Sequence, residues 1–415
     1  MKKLLLIATL LIGFLTSCNN EGTPSIPEPT VDPILLPFPE LDSRTQEAIV
    51  KKGNVFANDL MTLMNQEVPD KNMMISPLSI QFVLGMASNG ANEEALQEII
   101  IAMGMNGYSL DMLNSYYYNL MQTIQQEDED FILDLANAIW YQEDFEISQD
   151  FILKNQAIFH TKTENTDFTQ ASKVMKAFNQ WASDATRGTI KNLRIDITDY
   201  TKMLIANACY MKGKWAVPFE KENTKKENFY NQDGSIGKAD MMYLAKAFKF
   251  DNSTNEAFTA IELPYGKENF SMLIILPKEG KTLNEIIPLI AWDNMQLNRQ
   301  GIIRVGLPKF KIEATYSENL TNCIKGMGIT RIFEEESNAF PRICNDIWIE
   351  QIAQATFMEV DETGTEAAAV TGTTYYASGI KDSERPTIRM DRPFAFAIRE
   401  NTTGTVLFMG KVLKM

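Results

Sequence analysis

The sequence predicts an α+β fold. Helical signals crowd its N-terminal part and strand signals its C-terminal part, without the regular alternation of a parallel α/β sheet. Composition agrees with a globular chain: 415 residues, 45% hydrophobic and 22% charged, fit neither disorder nor a collagen-like repeat. From about Leu41 onward no linker, composition break or internal repeat interrupts the chain. Residues 41–415 are therefore expected to form one domain.

The elements follow in order. Met1-Lys2-Lys3 places positive charge before an uncharged apolar run from Leu4 to Leu15. At ~1.5 Å per residue that run is too short for a bilayer core of roughly 30 Å, and it fits a secretory signal peptide over residues 1–17. Leu15-Thr16-Ser17-Cys18 resembles the lipobox of bacterial lipoproteins. That resemblance implies an acylated Cys18 and an exported protein anchored to a bacterial outer membrane, on its periplasmic face or at the cell surface. Residues 18–40 then form a spacer, with six prolines from Pro24 to Pro39 favouring an extended, semi-rigid chain. Ser76-Pro77 puts a capping hydroxyl before a proline at the first helical position. Ile80, Val83, Leu84 and Ala87 recur on one face of that helix, and Gly90 offers its stop. Asn92 to Met103 reads as a second amphipathic helix. Phe131–Tyr141, Met203–Met211 and Ser271–Leu276 read as strands, and Phe394–Val412 as a hairpin turning at Asn401-Thr402-Thr403-Gly404.

Composition and motifs also exclude. A formal net charge of -15 repels phosphate backbones, so no nucleic-acid partner is expected. His160 is the one histidine, which rules out multi-histidine metal sites and makes it the sole candidate for a histidine-based triad. Its polar surroundings read as structural. Gly107-Tyr108-Ser109-Leu110-Asp111 lacks the second glycine of a nucleophile elbow. Gly280-Lys281-Thr282 lacks the upstream glycine of a phosphate loop, which falls on Ile275. Glu127–Asp130 and Glu334–Glu336 read as solvated loop charges. With Cys18 lipidated, Cys209, Cys323 and Cys344 form at most one bridge, and buried free thiols are the alternative. Nothing here supports an enzyme, a metal or a cofactor.

One segment breaks the usual rules. From Glu362 to Gly379 the chain is small-residued, rich in Thr and Ala, and free of proline until Pro386. A polar loop normally carries more charge and more turn residues. By alternation, Thr365, Ala367, Ala369, Thr371, Thr373, Tyr375 and Ala377 share one uncharged face, and Glu366 is the only charge between Thr365 and Ser378. Such a loop can be laid into the middle of a sheet, although an edge strand or a surface loop has the same composition.

Residues 362–371, Glu-Thr-Gly-Thr-Glu-Ala-Ala-Ala-Val-Thr, resemble the reactive-centre hinge of inhibitory serpins. Asn72–Ile80 resembles the segment carrying that family's shutter serines, here Ser76 and Ser79. Asn207–Trp215 resembles the strand leading to its breach tryptophan, here Trp215, with Phe219 following in Pro-Phe. Asp391–Phe394 and Phe408–Lys411 resemble its C-terminal signature. The resemblance implies helices packed around three β-sheets with an exposed reactive-centre loop. It implies a monomeric, irreversible suicide-substrate inhibitor of serine proteases, with cysteine proteases within reach. The loop, about residues 362–385, would be cleaved and inserted into the central sheet, trapping the acyl-enzyme. In the hinge, Glu362, Gly364, Thr365, Glu366, Ala367, Ala368 and Ala369 would permit insertion, while Ser76, Ser79, Asn207, Gln354 and Trp215 would control sheet opening. The family's spacing places cleavage at Ser378–Gly379, behind Ala377, favouring elastase- or subtilisin-like proteases. Lys381 would suit a trypsin-like enzyme, and Tyr375 or Tyr376 a chymotrypsin-like one. Two departures stand out. Gln354 occupies the position of many serpins' shutter histidine, where its amide can still hydrogen-bond with Asn207 but cannot titrate. The interval from Glu362 to Pro393 is a few residues longer than usual. A non-inhibitory, serpin-fold binding protein is the alternative.

Overall fold

Asp42, Ser76, Asn92 and Ser148 each turn a side-chain oxygen onto the backbone N–H three residues ahead, and each thereby opens a helix. In the computed structural model, the described residues are 39–415 without 125–129, 192–194, 196, 199–200, 252–255, 293–294, 296, 298, 345 and 366–386. The expected signal peptide, Cys18 and nearly all of the spacer lie outside them. The chain begins with α1 (Ser43–Glu67), β1 (Met73–Ile75), α2 (Pro77–Gly90), α3 (Glu93–Ala102), α4 (Leu110–Ile124), β2 (Phe131–Gln142), α5 (Gln149–Phe159), β3 (Lys162–Thr166) and α6 (Ala171–Ala185). Strands then dominate: β4 (Met203–Lys214), β5 (Lys225–Tyr230), β6 (Ile236–Asp251), β7 (Phe258–Tyr265) and β8 (Phe270–Pro277). After the single turn α7 (Leu283–Ile286) come β9 (Arg299–Pro308), β10 (Phe310–Tyr316), α8 (Glu318–Gly326), β11 (Ile352–Val360), β12 (Gly364–Thr365), β13 (Thr387–Arg389), β14 (Phe394–Glu400) and β15 (Val406–Val412).

Three sheets result. The first is six-stranded, in the order β10-β11-β12-β4-β2-β3. The other two share β6, which is long enough to serve both. Its earlier part pairs with β5 and with β9, and β9 in turn carries β13; its last three residues pair with β7 and so join the β7-β8-β14-β15-β1 ladder. Strands β8 and β15 are buried at every residue, as strands covered on both faces must be.

The expected one-sided burial of α2 is corrected by this packing. All fourteen of its residues are buried, because β15 and β4 meet it on one side and α1, α4 and α5 on the others. A helix enclosed all round needs no polar face. Its glycines allow the close approach: a Cβ at Gly85 would stand 2.8 Å from the Phe159 ring. The α2 N-terminus, carrying Ser76 and Ser79, is thus delivered to the underside of the six-stranded sheet.

Candidate functional site

Strands β4 and β11 pair in parallel from Ile352↔Ile205 to Phe357↔Tyr210. Beyond that point they part, and β12 fills the gap. Thr365 pairs with Val360 on one side and Gly213 on the other, and Gly364 with Lys214. Gly364 and Thr365 of the anomalous segment therefore lie inside the sheet, and Thr365 is fully buried.

A tight turn delivers them there. The Asp361 carboxylate accepts from Thr363 N at 2.8 Å, Thr363 Oγ1 at 2.9 Å and Gly364 N at 3.3 Å, reversing the chain after β11. Gly364 has φ +154° and runs hard against β4: a Cβ there would lie 2.6 Å from Lys214 Cα and collide with the Gly213 carbonyl oxygen. Glycine is needed on both counts.

Trp215 closes the top of the gap. It donates twice to the turn: its backbone N to Thr363 O at 2.9 Å and its indole Nε1 to Asp361 O at 2.9 Å. The indole stacks on Tyr265, with centroids 4.5 Å apart and planes at 11°. Tyr265 Oη in turn meets Thr365 Oγ1 at 2.9 Å, and burial pushes the phenol's pKa up, keeping it neutral. Below Trp215, Phe219 N donates to Glu362 O at 2.8 Å.

Glu362 anchors the turn by charge. Its side chain is 5% exposed and accepts from Lys309 Nζ at 2.9 Å and Thr224 Oγ1 at 2.8 Å. Burial alone would raise its pKa, but the Lys309 and Thr224 hydrogen bonds outweigh that and hold the carboxyl below its ordinary value. The same hydrogen bond raises Lys309.

Further down the sheet a second polar cluster sits under β4 and β11. Ser76 Oγ donates to Leu407 O at 2.8 Å and lies 2.9 Å from Ser79 Oγ. Ser79 Oγ lies 2.7 Å from Cys209 Sγ, which donates to Asn207 Oδ1 at 2.6 Å. Asn207 Nδ2 donates to Asn137 Oδ1 at 2.8 Å, and Asn137 Nδ2 to Phe159 O at 2.8 Å. Burial pushes the Cys209 thiol up to about 12, so it stays protonated as a donor. One expectation is corrected. Gln354 and Asn207 stand opposite each other across the β11/β4 pair, but the Gln354 amide does not bond to Asn207. It clasps the Ser76 backbone, accepting from N at 2.8 Å and donating to O at 2.9 Å. That geometry satisfies two main-chain groups at the helix start at once.

The structure thus gathers Glu362, Gly364, Thr365 and Trp215 at the top of the sheet, and Ser76, Ser79, Asn207 and Gln354 beneath its middle. Glu366, Ala367, Ala368, Ala369, Tyr375, Tyr376, Ala377, Ser378, Gly379 and Lys381 lie outside the described residues. Sequence reasoning missed Tyr265, Asp361, Thr224, Lys309, Cys209 and Asn137. Of these, Cys209 was signalled, since it stands two positions from Asn207 on a strand and shares its face. The two serines bond to a carbonyl, a hydroxyl and a thiol, not to a base. His160 ends α5 in the left-handed conformation, exposed, with its ring nitrogen 3.5 Å from Gln122. Among the described residues, no group of carboxylates, thiols and imidazole is arranged to hold a metal.

A family model described as serpin (serine protease inhibitor) matches residues 51–415. Neuroserpin of Gallus gallus is 30% identical over 359 residues, covering 83% of this chain and 86% of neuroserpin. Among solved structures, native protease nexin-1 with heparin superposes with a TM-score of 0.79 at 30% identity, covering 89% of this chain and 100% of that one. Thyroxine-binding globulin complexed with thyroxine superposes at 0.78 and 26% identity, covering 88% and 99%.

Proposed function

This chain belongs to the serpin family, and within that family we propose that it is an inhibitor that traps its target protease by inserting its own cleaved loop. The observation that carries the reading is β12: two uncharged residues of the hinge, Gly364 and Thr365, are already seated between β4 and β11. A protease cutting the loop near Ser378–Gly379 becomes acyl-linked to the part that continues β12. Strand addition then carries it along the sheet, and about fifteen residues at ~3.3 Å each amount to on the order of 50 Å. Displacement of that size pulls the acyl-enzyme away from the geometry its hydrolysis requires. The small side chains of Ala367, Ala368 and Ala369 fit a path between two occupied strands, whose first rung Thr365 already fills. The target class favoured by Ala377 and Ser378 is elastase- or subtilisin-like.

Incubation with subtilisin and elastase, followed by denaturing electrophoresis, tests this. A covalent complex stable to SDS is expected; complete loop cleavage with full protease activity rejects inhibition. The likeness to thyroxine-binding globulin favours a second reading, a ligand carrier on the same fold. Melting before and after loop cleavage separates the two, because a loop that does not insert leaves the melting temperature unchanged. The same proposal includes a monomeric protein, exported and lipid-anchored at Cys18, and rests there on Leu15-Thr16-Ser17-Cys18 alone. Fatty-acid labelling that survives Cys18→Ala would remove the anchor from it.

A further inference from the structure

A cleft of ≈ 640 Å³ lies where β13 meets the sheets, lined by three arginines and a single carboxylate. In a chain of net charge -15, that local reversal of sign needs a reason. Asp391, the carboxylate, is already engaged: it holds Arg389 at 2.6 Å and Arg392 at 3.3 Å. Arg389 is tied further to Glu227 at 3.3 Å, and Arg392 donates to Pro277 O at 2.7 Å. Arg304 is different. Its guanidinium carbon lies over the Tyr243 ring, 3.9 Å from the centroid, and none of the guanidinium N–H groups meets an acceptor among the described residues. Tyr243 is itself fixed, 5% exposed and hydrogen-bonded to Glu227 at 2.8 Å. Stacking therefore holds a planar, five-donor fork in place with its hydrogen-bonding capacity unused.

We propose that this cleft binds a small oxyanion-bearing molecule, with Arg304 and Arg392 as its charged contacts. A guanidinium fork matches a carboxylate or sulfate group edge to edge, and the cleft is of the size that small-molecule sites take, roughly 300–1,000 Å³. Three arginines stand against two carboxylates, Asp391 in the cleft and Glu227 behind Arg389, and a bound anion compensates the excess cation. The walls favour a hydrophilic ligand of two or more acidic groups, such as a polycarboxylate or a sulfated sugar unit. Occupancy has a structural consequence. Tyr243 comes from β6, Thr259 from β7, Leu276 from β8, Arg304 from β9 and Ile388 from β13. A ligand touching them ties β13, an edge strand held by three residue pairs, into both sheets. This site does not depend on the inhibitory reading.

Thermal unfolding and titration calorimetry of the full chain test it, with citrate and a sulfated disaccharide as probes and sodium chloride at equal ionic strength as reference. A saturable rise in melting temperature beyond that given by chloride is expected with at least one probe, and the stronger of the two identifies the acid class. Arg304→Gln and Arg392→Gln should each weaken the affinity about ten- to a hundredfold, the loss of a charge-assisted contact. Arg304→Lys, which keeps the charge but not the fork, should fall between. A parent response to both probes no larger than to chloride overturns the proposal without any variant. Equal affinity in a folded Arg304→Gln protein overturns the assignment of the contact.

Discussion

Replacing Thr365 by arginine tests the proposed mechanism at one side chain. In the native sheet Thr365 is fully buried, flanked by Val360 and Gly213 and bonded to Tyr265 Oη at 2.9 Å. Arginine removes that hydrogen bond, worth about 1 kcal/mol. It also brings a guanidinium into a slot whose neighbouring acids are already committed, Glu362 to Lys309 and Asp361 to the N–H groups of Thr363 and Gly364. An uncompensated buried charge costs about 3–5 kcal/mol. The uncleaved sheet escapes this cost by releasing the hinge from between β4 and β11, so insertion after cleavage must bear it: the barrier should rise by roughly 4 kcal/mol, which slows insertion by about a thousandfold. Deacylation is unaffected and wins the race, so the protease leaves and the loop is merely cut. Inhibition stoichiometry against subtilisin, read with complex formation on denaturing gels, measures the partition. The parent should approach one inhibitor per protease, whereas Thr365→Arg should be consumed as substrate with almost no covalent complex. Thr365→Val, which keeps the shape and loses only the hydroxyl, should retain most of the trapping. An arginine variant that traps with the parent's stoichiometry refutes the reasoning.

Three further outcomes follow from the geometry. Glu362→Gln should lower stability by about 1–2 kcal/mol at neutral pH, since it breaks the ion pair with Lys309. Because the native carboxyl is held below its ordinary pKa of about 4.3, that contribution is present above this value and disappears as pH falls beneath it. Melting curves of parent and variant should thus converge only in acid, and a constant gap down to pH 2 contradicts the assignment. Gln354→Ala should cost about 1–3 kcal/mol by orphaning the buried Ser76 N–H, while the Ser76 carbonyl keeps its bond from Ile80 N, checked by chemical denaturation. Finally, with its pKa raised to about 12 and no exposure, Cys209 should resist thiol reagents at pH 8 in the native protein and react after denaturation. Peptide mapping of the label decides; rapid native labelling contradicts a closed cluster.

What the sequence made legible was local or periodic. Ser76-Pro77 announced a helix because capping chemistry is complete within four residues, and Ser76 does cap Ser79 N. The last hairpin was equally readable, with β14 and β15 flanking the expected turn. The composition of the hinge made a strand position plausible, and Gly364–Thr365 occupies one. The partners were hidden. Gln354 clasps a residue 278 positions away, and Tyr265 meets Thr365 across 100; no spacing rule reaches so far. Gln354 was assigned to Asn207 because it stands at the position of many serpins' shutter histidine, but an amide at that place gains more by satisfying two backbone groups than one side chain. The enclosure of α2 was likewise invisible, since its polar residues, Gln81, Ser88 and Asn89, imitate a solvent face while bonding inward to Gly53, Leu84 and Asn155.

The short strand β12 fixes more than its own two residues. In an antiparallel pair the partner numbers move in opposite directions, so the register of Thr365 with Val360 and Gly213 determines every later rung. If the cleaved loop inserts as proposed, the same register carried six residues onward would set Thr371 between Gln354 and Asn207, on the face that Thr365 already uses. The wedge that prises β4 from β11 would bring its own hydroxyl to the one polar knot holding them closed. Lock and key would then be written on the same chain, 164 residues apart between Asn207 and Thr371, and changing either without the other should leave a door that opens but does not latch.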